Sequence, residues 1–355
     1  MSRRPNITLV QESPFDQGSY LRDWRRWQAG ASSPGTLRVA VVTGANGFLG
    51  AHLVRALLRH GVAVRALVRP TANLHVLEGL DIDIRRGELT DIGFLRETLQ
   101  GADVLFHLAA VYSQDPRDIG LMYRVNVGLV RALIRLAWEM GLRRIVHTST
   151  IGTIGRREDG EPPDESVPFN LWNEASHYVR SKHLGEIAAL TWAQMGAPVI
   201  IVNPTAPVGA YDWRPTATGR RILAVLRGEI PSYPPGGMNV VPARDVAEGM
   251  ILAALHGQPA TRYILGHQKG NLSLDQFIHM VAQAAGIAPP ITPHRPSPRR
   301  WWTRWRRRHR HRKAGGPYAL TANPRRAVEE LGMPQSDLPA AFAEAVRWYR
   351  VNRQA

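Results

Sequence analysis

The stretch VAVVTGANGFLGAHLVRALL, residues 39–58, joins three sequence patterns that follow one another directly. Its first residues are apolar and mostly β-branched, which is typical of a strand buried on both faces of a parallel sheet. A turn follows with glycines at three-residue spacing, at Gly44, Gly47 and Gly50. The residues after the turn carry apolar side chains at helical spacing. The stretch therefore predicts a strand, a glycine-rich turn and a helix that packs back onto the strand.

Each glycine has a physical reason in a turn that binds phosphate. Gly44 permits the tight turn, Gly47 lets backbone N–H groups approach a pyrophosphate, and Gly50 lets the helix pack closely on the strand. The N-terminus of the helix then presents N–H donors to the phosphates. A strand before the turn and a helix after it distinguish this pattern from an ordinary glycine-rich turn. The stretch predicts a dinucleotide-binding site.

The composition limits the class of protein. The chain has 355 residues, of which 44% are hydrophobic, so it can form one large α/β domain with a smaller lobe. It has no cysteine, which excludes disulfides, thiolate nucleophiles and cysteine metal sites. No apolar run is long enough to span a membrane, no signal-peptide pattern is present, and the histidines lack metal-ligand spacing. We expect a soluble cytoplasmic protein without a metal site.

Strand and helix patterns alternate after the first helix. Strands are predicted at 62–69, in 81–91 with its exit loop, at 102–110 and at 142–148, and helices at 92–100 and 122–140. Thr90 or Asp91 is expected to cap the helix at 92–100. This alternation predicts a doubly wound parallel sheet of α/β class. Ligands of such sheets lie at the carboxyl ends of the strands, where Ala109, Ala110 and Thr150 are found.

The end of the second strand indicates the cofactor. A fold specific for NAD usually places Asp or Glu there to bind the ribose 2′-hydroxyl. This chain has Arg69 instead, and a guanidinium suits a 2′-phosphate. The sequence therefore favours NADP, with NAD as the alternative.

Tyr178 and Lys182 are the candidate catalytic pair. They are four residues apart in a predicted helix that runs from His177 to about Met195, so they share one face. A free tyrosine is a poor base at neutral pH, and we expect the ammonium of Lys182, together with an oxidised nicotinamide, to favour the phenolate of Tyr178. The hydroxyl of Thr150 is expected to hold the substrate oxygen. Together these residues can move a proton while the cofactor moves a hydride.

The chain resembles the extended short-chain dehydrogenase/reductases, in the NAD-dependent epimerase/dehydratase group, over about 38–290. The residues that carry the resemblance are 43–50 (TGANGFLG), 107–110 (HLAA), Asn126-Val127, 148–150 (TST) and Tyr178 with Lys182. The stretches 201–209, 214–220 and 263–266 are most similar to hopanoid-associated sugar epimerases, and next to dihydroflavonol-4-reductase-like enzymes. The resemblance implies a Rossmann-type sheet with a small C-terminal substrate lobe.

The resemblance also implies roles for particular residues. Tyr178 is the acid/base, Lys182 binds the nicotinamide ribose and lowers the tyrosine pKa, and Thr150 takes the Ser/Thr position. Glu88 replaces the Asp with which the family commonly contacts adenine, and Asn203 begins the segment that touches the nicotinamide. The candidate cofactor-binding residues are Gly44, Asn46, Gly47, Phe48, Leu49, Arg69, Glu88, Leu89, Ala109, Ala110, Lys182, Asn203, Pro204 and Thr205.

The domain organisation follows from these patterns. Residues 1–36 are predicted to be a poorly ordered extension, 37–204 the dinucleotide-binding domain, and 205–355 mainly the substrate lobe. Within the lobe, Asp245 is expected to cap the helix that follows it. Much of the net charge of +16 lies in a basic Trp/Arg-rich insertion at 295–313, so specific nucleic-acid binding is not implied for the fold.

The insertion has two interpretations. Trp301, Trp302 and Trp305 among arginines suit the headgroup region of an anionic membrane, which predicts peripheral contact through 299–313 at the inner face of the membrane. A solvated insertion is the alternative, and a polyanion such as RNA is a third partner of the same chemistry. A homodimer is also predicted.

Three functions are consistent with these residues. The first is epimerisation or dehydration of a nucleotide-linked sugar or a related hydroxyl/carbonyl compound, in hopanoid or lipid metabolism. The second is NADPH-dependent carbonyl reduction of the dihydroflavonol-reductase type, which uses the same residues. The third is a non-catalytic NAD(P) sensor, against which the intact Thr150, Tyr178 and Lys182 argue.

Overall fold

A computed structural model describes residues 37–290 and 319–352. Its large sheet consists of β1 (Val39–Thr43), β2 (Ala63–Val68), β3 (Asp83–Arg86), β4 (Val104–His107), β5 (Arg144–Thr148), β6 (Val199–Pro204) and β9 (Arg262–Leu265). The order is β3-β2-β1-β4-β5-β6-β9, and all neighbouring strands are parallel. The chain builds outward from β1 to β3 and then returns to place β4 on the other side of β1. This reversal opens a crevice at the carboxyl ends of β1 and β4.

Helices cover both faces of the sheet. They are α1 (Phe48–Arg59), α2 (Ile92–Leu99), α3 (Ile119–Tyr123), α4 (Val130–Glu139), α5 (His177–Gln194), α6 (Ala217–Leu226), α7 (Ala243–His256), α8 (Leu274–Ala285), α9 (Arg325–Leu331) and α10 (Leu338–Val351). Neighbouring residues of β1 point to opposite faces: Val42 packs in one apolar cluster and Val41 in the other. The predicted doubly wound parallel sheet is confirmed. None of the helices in the described ranges is both long and apolar enough to cross a membrane.

Two element boundaries have clear causes. Asp91, rather than Thr90, caps α2, because its carboxylate accepts a hydrogen bond from the backbone N–H of Phe94. The helix predicted at 122–140 begins earlier, at Ile119, and is interrupted by a π-helical segment, Arg124–Leu129, before α4. Such a segment widens the helix by one residue per turn and commonly occurs at functional sites.

A second sheet forms the smaller lobe. It contains β7 (Ala206–Val208), β8 (Met238–Pro242) and β10 (Asn271–Leu272), with β8 in the centre. The chain then re-enters the large sheet after residue 205, since β9 pairs with β6. One apolar cluster also runs through both sheets. The predicted division at residue 204 stays a prediction, and the extension 1–36 and the insertion 295–313 lie outside the described residues.

The expected capping role of Asp245 is wrong. Helix α7 begins directly at the end of β8, with Pro242 in the N-cap position, so Asp245 already lies inside the first turn. Its carboxylate accepts hydrogen bonds from the backbone N–H and the hydroxyl of Ser336, at 2.7 and 2.6 Å. Burial raises the pKa of Asp245 to about 6, against these hydrogen bonds. The side chain therefore ties the C-terminal segment to α7.

Candidate active site

The turn after β1 is shaped by glycines that no other residue can replace without movement. Gly44 has φ +70°, and a Cβ there would lie 2.9 Å from the backbone nitrogen of Ala109 at the end of β4. A Cβ at Gly50 would lie 2.2 Å from the carbonyl oxygen of Gly44. The first helical turn of α1 is thus packed against the strand ends, as the spacing predicts.

The N-terminus of α1 is open to an anion. Gly47 is the N-cap and has no side chain to satisfy the first N–H groups of the helix. The neighbouring Asn46 is fixed by two contacts: its side-chain amide donates to the carbonyl of Asn73, and its own carbonyl accepts from the indole N–H of Trp213. Phe48 and Leu49 begin the helix, and Leu49 packs on the core.

The backbone between β4 and the site is held by buried polar contacts. The hydroxyl of Thr43 lies 2.8 Å from Nδ1 of His107, and its oxygen accepts from the backbone N–H of Ala109. Burial lowers the pKa of His107 to about 3, and the nearby Lys182 lowers it further, so the imidazole is neutral. Ala109 and Ala110 follow with small side chains, beside the glycine turn.

The candidates for the adenosine end lie at the ends of β2 and β3. Arg69 is exposed directly after β2, and Glu88 and the half-buried Leu89 lie in the turn after β3. Arg86, which the sequence reasoning did not single out, donates to the carbonyl oxygens of Pro70 and Ala72. It therefore fixes the loop that follows Arg69.

Tyr178 and Lys182 lie one turn apart at the start of α5. Ser176 caps this helix by accepting from the backbone N–H of Val179. Lys182 is buried, and its ammonium donates to the carbonyl of Thr148 at the end of β5, at 2.7 Å. Burial lowers the pKa of Lys182 to about 8, although Glu186 opposes the shift.

The protein's own residues around Tyr178 favour its neutral form. Burial raises the pKa of Tyr178 to about 12, with a further contribution from Tyr112. The rings of the two tyrosines meet edge to face, with centroids 4.9 Å apart. The expected lowering of the tyrosine pKa by Lys182 together with an oxidised nicotinamide stays a prediction; among the protein's own groups, the desolvation of the phenol dominates and the ammonium of Lys182 donates to Thr148. Tyr178 is therefore a phenol that can donate a proton.

Thr150 is fixed by a network of buried polar groups. Its carbonyl accepts from the hydroxyl of Thr153 and from the side-chain amide of Asn203. Both of these groups also donate to one carboxylate oxygen of Glu186, at 2.7 and 3.0 Å, and Arg262 pairs with the other oxygen. The amide nitrogen of Asn203 is thus used inside the protein, where it positions Thr150.

The π-helical segment connects the strand end that precedes Tyr112 to helix α5, which carries Tyr178. Asn126, within that segment, exchanges two hydrogen bonds with the backbone of Val111 and donates to the hydroxyl of Ser181 in α5. Val111 directly precedes Tyr112. Asn126, which carried part of the resemblance, therefore sets the position of Tyr112 relative to Tyr178.

The smaller lobe reaches the glycine turn through the segment 209–216. Asp212 is buried and accepts from the hydroxyls of Thr216 and Tyr349. The next residue, Trp213, donates to Asn46 and meets His75 edge to face. Residues of three distant parts of the chain thus converge on the phosphate-binding turn.

The structure brings together most of the candidate residues. Thr150, Lys182 and Asn203 join through β5 and Glu186, and Tyr178 lies one turn from Lys182. Arg69, Glu88 and Leu89 lie at the other end of the crevice, where β2 and β3 end. Pro204 and Thr205, at the end of β6, are buried. The individual roles of these residues stay predictions.

The sequence reasoning missed two groups near the tyrosine. Glu186 follows Lys182 by four residues in the same helix, so the spacing that selected the pair also selects this carboxylate. Tyr112 follows the small residues at the end of β4, which is a ligand-binding position in such sheets. Local pattern could have found both.

The residues present fit a dinucleotide. A Cβ at Gly44 or Gly50 would clash with neighbouring backbone, so only glycine permits this cradle, and the helix N–H groups behind it lack a side-chain cap. Phosphates suit such an N-terminus because the N–H groups and the helix dipole favour negative charge. The cradle would hold the pyrophosphate, and Lys182 and Tyr178 lie at the opposite end of the crevice.

Comparison with known proteins agrees with this geometry. The model of the NAD dependent epimerase/dehydratase family matches residues 40–266. A putative dihydroflavonol 4-reductase of Synechocystis sp. is 38% identical over 324 residues, 87% of this chain and 94% of that protein. The sterol demethylase protein B of Methylococcus capsulatus is 33% identical over 326 residues, 87% of this chain and 98% of that protein.

A solved structure gives the same result for the fold. The crystal structure of gox2253 superposes with a TM-score of 0.77 at 34% identity, and the match covers 88% of this chain and 98% of that chain. The family model and the relatives together cover the strand–turn–helix, the crevice and the tyrosine helix. This chain is an NAD(P)-dependent oxidoreductase and belongs to the NAD dependent epimerase/dehydratase family.

Proposed function

We propose that this enzyme is an NADPH-dependent carbonyl reductase. The position of Tyr178 is the observation that carries the proposal: its ring packs against Tyr112, and it lies one helical turn from Lys182. Burial beside Tyr112 raises its pKa to about 12, so the residue is a phenol at neutral pH. Reduction of a ketone needs a proton donor at the carbonyl oxygen, and the half-buried phenol of Tyr178 supplies one. The relative named as a putative dihydroflavonol 4-reductase supports the reductive direction.

Each residue of the site has a part in the proposed reaction. NADPH, when bound, supplies the hydride. Thr150 donates a hydrogen bond to the substrate oxygen from a position that Asn203 and Thr153 fix. Tyr178 donates its proton to the same oxygen as negative charge develops there. Lys182, whose ammonium already bonds to Thr148, lies one turn away and stabilises the phenolate that remains.

The cofactor is proposed to be NADP rather than NAD. Arg69 is exposed at the end of β2 and Arg86 orders the loop beside it. A guanidinium binds a phosphate through two parallel hydrogen bonds, which a ribose hydroxyl cannot match. Glu88 in the next turn is proposed to contact the adenine.

The second candidate is epimerisation of a nucleotide-linked sugar in hopanoid or lipid metabolism. The similarity of 201–209 and 214–220 to hopanoid-associated sugar epimerases favours it, and Trp213, which lies between these two segments, contacts the glycine turn. In this reaction the oxidised cofactor takes up a hydride and returns it, so Tyr178 must first accept a proton. The relative named as a putative dihydroflavonol 4-reductase makes the reductase the better-supported function.

Cofactor stoichiometry tests the two candidates. The intact enzyme is incubated with a panel of ketones and nucleotide sugars while cofactor absorbance and products are followed. The proposal expects one NADPH oxidised for each alcohol formed. A sugar epimer formed without net NADPH oxidation would contradict the reductase and support epimerisation, the second candidate. Cofactor binding without turnover of any panel member would support the sensor instead.

A homodimer is also part of the proposal. An apolar groove lies between the π-helical segment and α5, and Val127, Leu184 and Ile187 contribute to it. Ile187 and Met195 are 46% and 60% exposed, which is unusual for large apolar side chains on one helix. Light scattering at several protein concentrations measures the mass. A monomer at all of them would remove the dimer from the proposal.

A further inference from the structure

Arg221 belongs to the smaller lobe and lies near Tyr112, the aromatic neighbour of Tyr178. It is half-buried on α6, and its Nε donates to the carbonyl of Ser232 at 2.8 Å. Its guanidinium carbon lies 5.9 Å from the ring centroid of Tyr233, and it interacts electrostatically with Tyr112. Since the Tyr112 ring contacts Tyr178, a single residue separates Arg221 from the proposed proton donor.

Arg221 has no acidic partner within residues 37–290 and 319–352. Arg262, another half-buried arginine of these ranges, pairs with Glu186. Burial lowers the pKa of Arg221, and the adjacent Arg220 lowers it further, while the opposing contributions come from Tyr233 and Tyr112. Retaining a cation here without a counter-ion costs free energy. An anionic group of a bound ligand would supply the missing counter-ion and offset this cost.

The hydrogen-bonding capacity of Arg221 is also incompletely used. A guanidinium has five N–H donors, and the Nε–H is the one bonded to protein in the described ranges, through Ser232. The two terminal nitrogens retain a planar fork of N–H groups. This fork matches the two oxygens of a carboxylate or of a phosphate.

We propose that Arg221 binds an anionic group of the substrate, a carboxylate or a phosphate, next to the carbonyl on which Tyr178 acts. This inference rests on the proposed function, because it names the substrate class of the same site. The substrate is then an oxo compound, or the corresponding alcohol, that carries an anionic group within reach of Arg221. Tyr233 and Tyr112 are aromatic neighbours of Arg221.

Binding of small probes tests the site independently of turnover. The intact protein is saturated with NADP⁺, so that anions do not enter the cofactor cradle, and titrated by calorimetry. Benzoate is compared with benzamide, and phenyl phosphate with phenol. We expect the anion of at least one pair to bind about tenfold more tightly than its neutral match. The pair that shows the difference identifies carboxylate or phosphate as the preferred group.

Variants assign the effect to Arg221. Arg221→Gln should abolish the difference between anion and neutral match, and Arg221→Lys should restore part of it. Arg220→Gln is the matched control, since Arg220 is adjacent and equally charged but is exposed and donates to the carbonyl of Pro215. It should retain the difference. Unchanged NADPH affinity and thermal unfolding show that the variants are folded.

The outcomes separate this inference from the proposed function. Equal binding of anion and neutral match by the unmodified protein in both pairs overturns the Arg221 inference, whatever the variants do. A difference that persists in Arg221→Gln also overturns it. Anion binding through Arg221 without any NADPH oxidation would leave the inference standing and remove the reductase. Reduction of neutral ketones with no preference for charged ones would support the reductase and overturn the Arg221 inference.

Discussion

Tyr178 shows how a catalytic residue can be located from its spacing while its protonation depends on packing. The four-residue spacing from Lys182 places both on one face of α5. Whether the phenol or the phenolate is favoured depends first on burial, with a smaller contribution from Tyr112, which is 66 residues away in the chain and 4.9 Å away between ring centroids. Burial there raises the pKa of Tyr178 to about 12.

Tyr178→Phe removes the proton donor and keeps the ring that packs on Tyr112. We expect turnover to fall by about 10²–10⁴-fold, the range for a general acid, while NADPH affinity is unchanged. Steady-state kinetics and fluorescence titration of NADPH measure the two effects. Turnover near that of the unmodified enzyme would remove Tyr178 from the mechanism.

Arg69→Ala tests the choice of cofactor. The substitution should weaken NADP binding and leave NAD binding nearly unchanged, because only the 2′-phosphate loses its partner. Equilibrium titration with both cofactors gives the ratio of NADP affinity to NAD affinity in each protein. Arg85→Ala is a suitable control, since Arg85 is also exposed but pairs with Asp83. Equal losses for both cofactors, or no loss, would show that Arg69 does not bind the phosphate.

Lys182 predicts a pH dependence of cofactor binding. Its buried ammonium has a pKa lowered to about 8, so the positive charge is present below that pH and is lost as the pH rises through it. His107 and His147 face it from β4 and β5, and burial lowers the pKa of both, so neither changes charge in this range. Glu186 and Tyr178 are its charged and titratable neighbours on α5. NADPH affinity should therefore fall above a pH of about 8.

The matched variant is Lys182→Met, which keeps the length of the side chain and removes the titrating group. Its NADPH affinity should be lower and independent of pH over the same range. Fluorescence titrations from about one pH unit below to one above the pKa of Lys182 provide the comparison. If the NADPH affinity of the variant fell by the same factor over this pH range, the pH dependence would belong to another group.

At the scale of the elements, the crossing of α5 and the π-helical segment holds the site together. Gly185 allows this crossing, because a Cβ there would lie 2.1 Å from the carbonyl oxygen of Asn126. Asn126 in turn fixes Val111 and Ser181. The same contact thus connects the helix of the catalytic pair with the strand end that carries Tyr112.

Gly185→Ala should therefore affect stability and turnover together. The clash involves backbone, so the helices must separate, at a cost of about 1–3 kcal/mol in the free energy of unfolding. Gly120→Ala is the control in α3, where the nearest atom is the flexible Arg124 side chain at 3.5 Å. Chemical denaturation and kcat measure the two consequences. Equal stability of the two variants would show that the crossing tolerates a methyl group.

At the scale of the whole molecule, the charge distribution predicts a membrane contact. The tract 299–313 lies outside the described residues, so this prediction rests on its sequence alone. It combines three tryptophans with a run of basic residues. Each arginine near an anionic lipid surface contributes about 1 kcal/mol, and the tryptophans suit the interface.

Co-sedimentation with liposomes tests the prediction. The intact chain should sediment with anionic vesicles at low salt and much less in about 1 M salt, where the Debye length falls to about 3 Å. A variant lacking 299–313 should remain in the supernatant, and neutral vesicles provide the lipid control. Equal sedimentation of both proteins would contradict the membrane contact. Binding to RNA but not to vesicles would assign the tract to a polyanion.

The sequence by itself determined the parts of this protein that depend on local pattern. The strand, the glycine turn and helix α1 were predictable because apolar period and glycine spacing act over a few residues. Alternating strands and helices predicted the parallel sheet, since a parallel connection needs a crossover. Tyr178 and Lys182 followed from helical spacing.

Only the tertiary structure decided which distant residues meet and what charge they carry. Asp245 contacts Ser336 rather than capping its helix, because β8 leads directly into α7. Arg221 reaches the tyrosines from the other lobe. Residues so far apart in the chain are brought together by the packing of whole elements, and burial, which shifts the pKa values of Tyr178 and Lys182, exists only in the folded core.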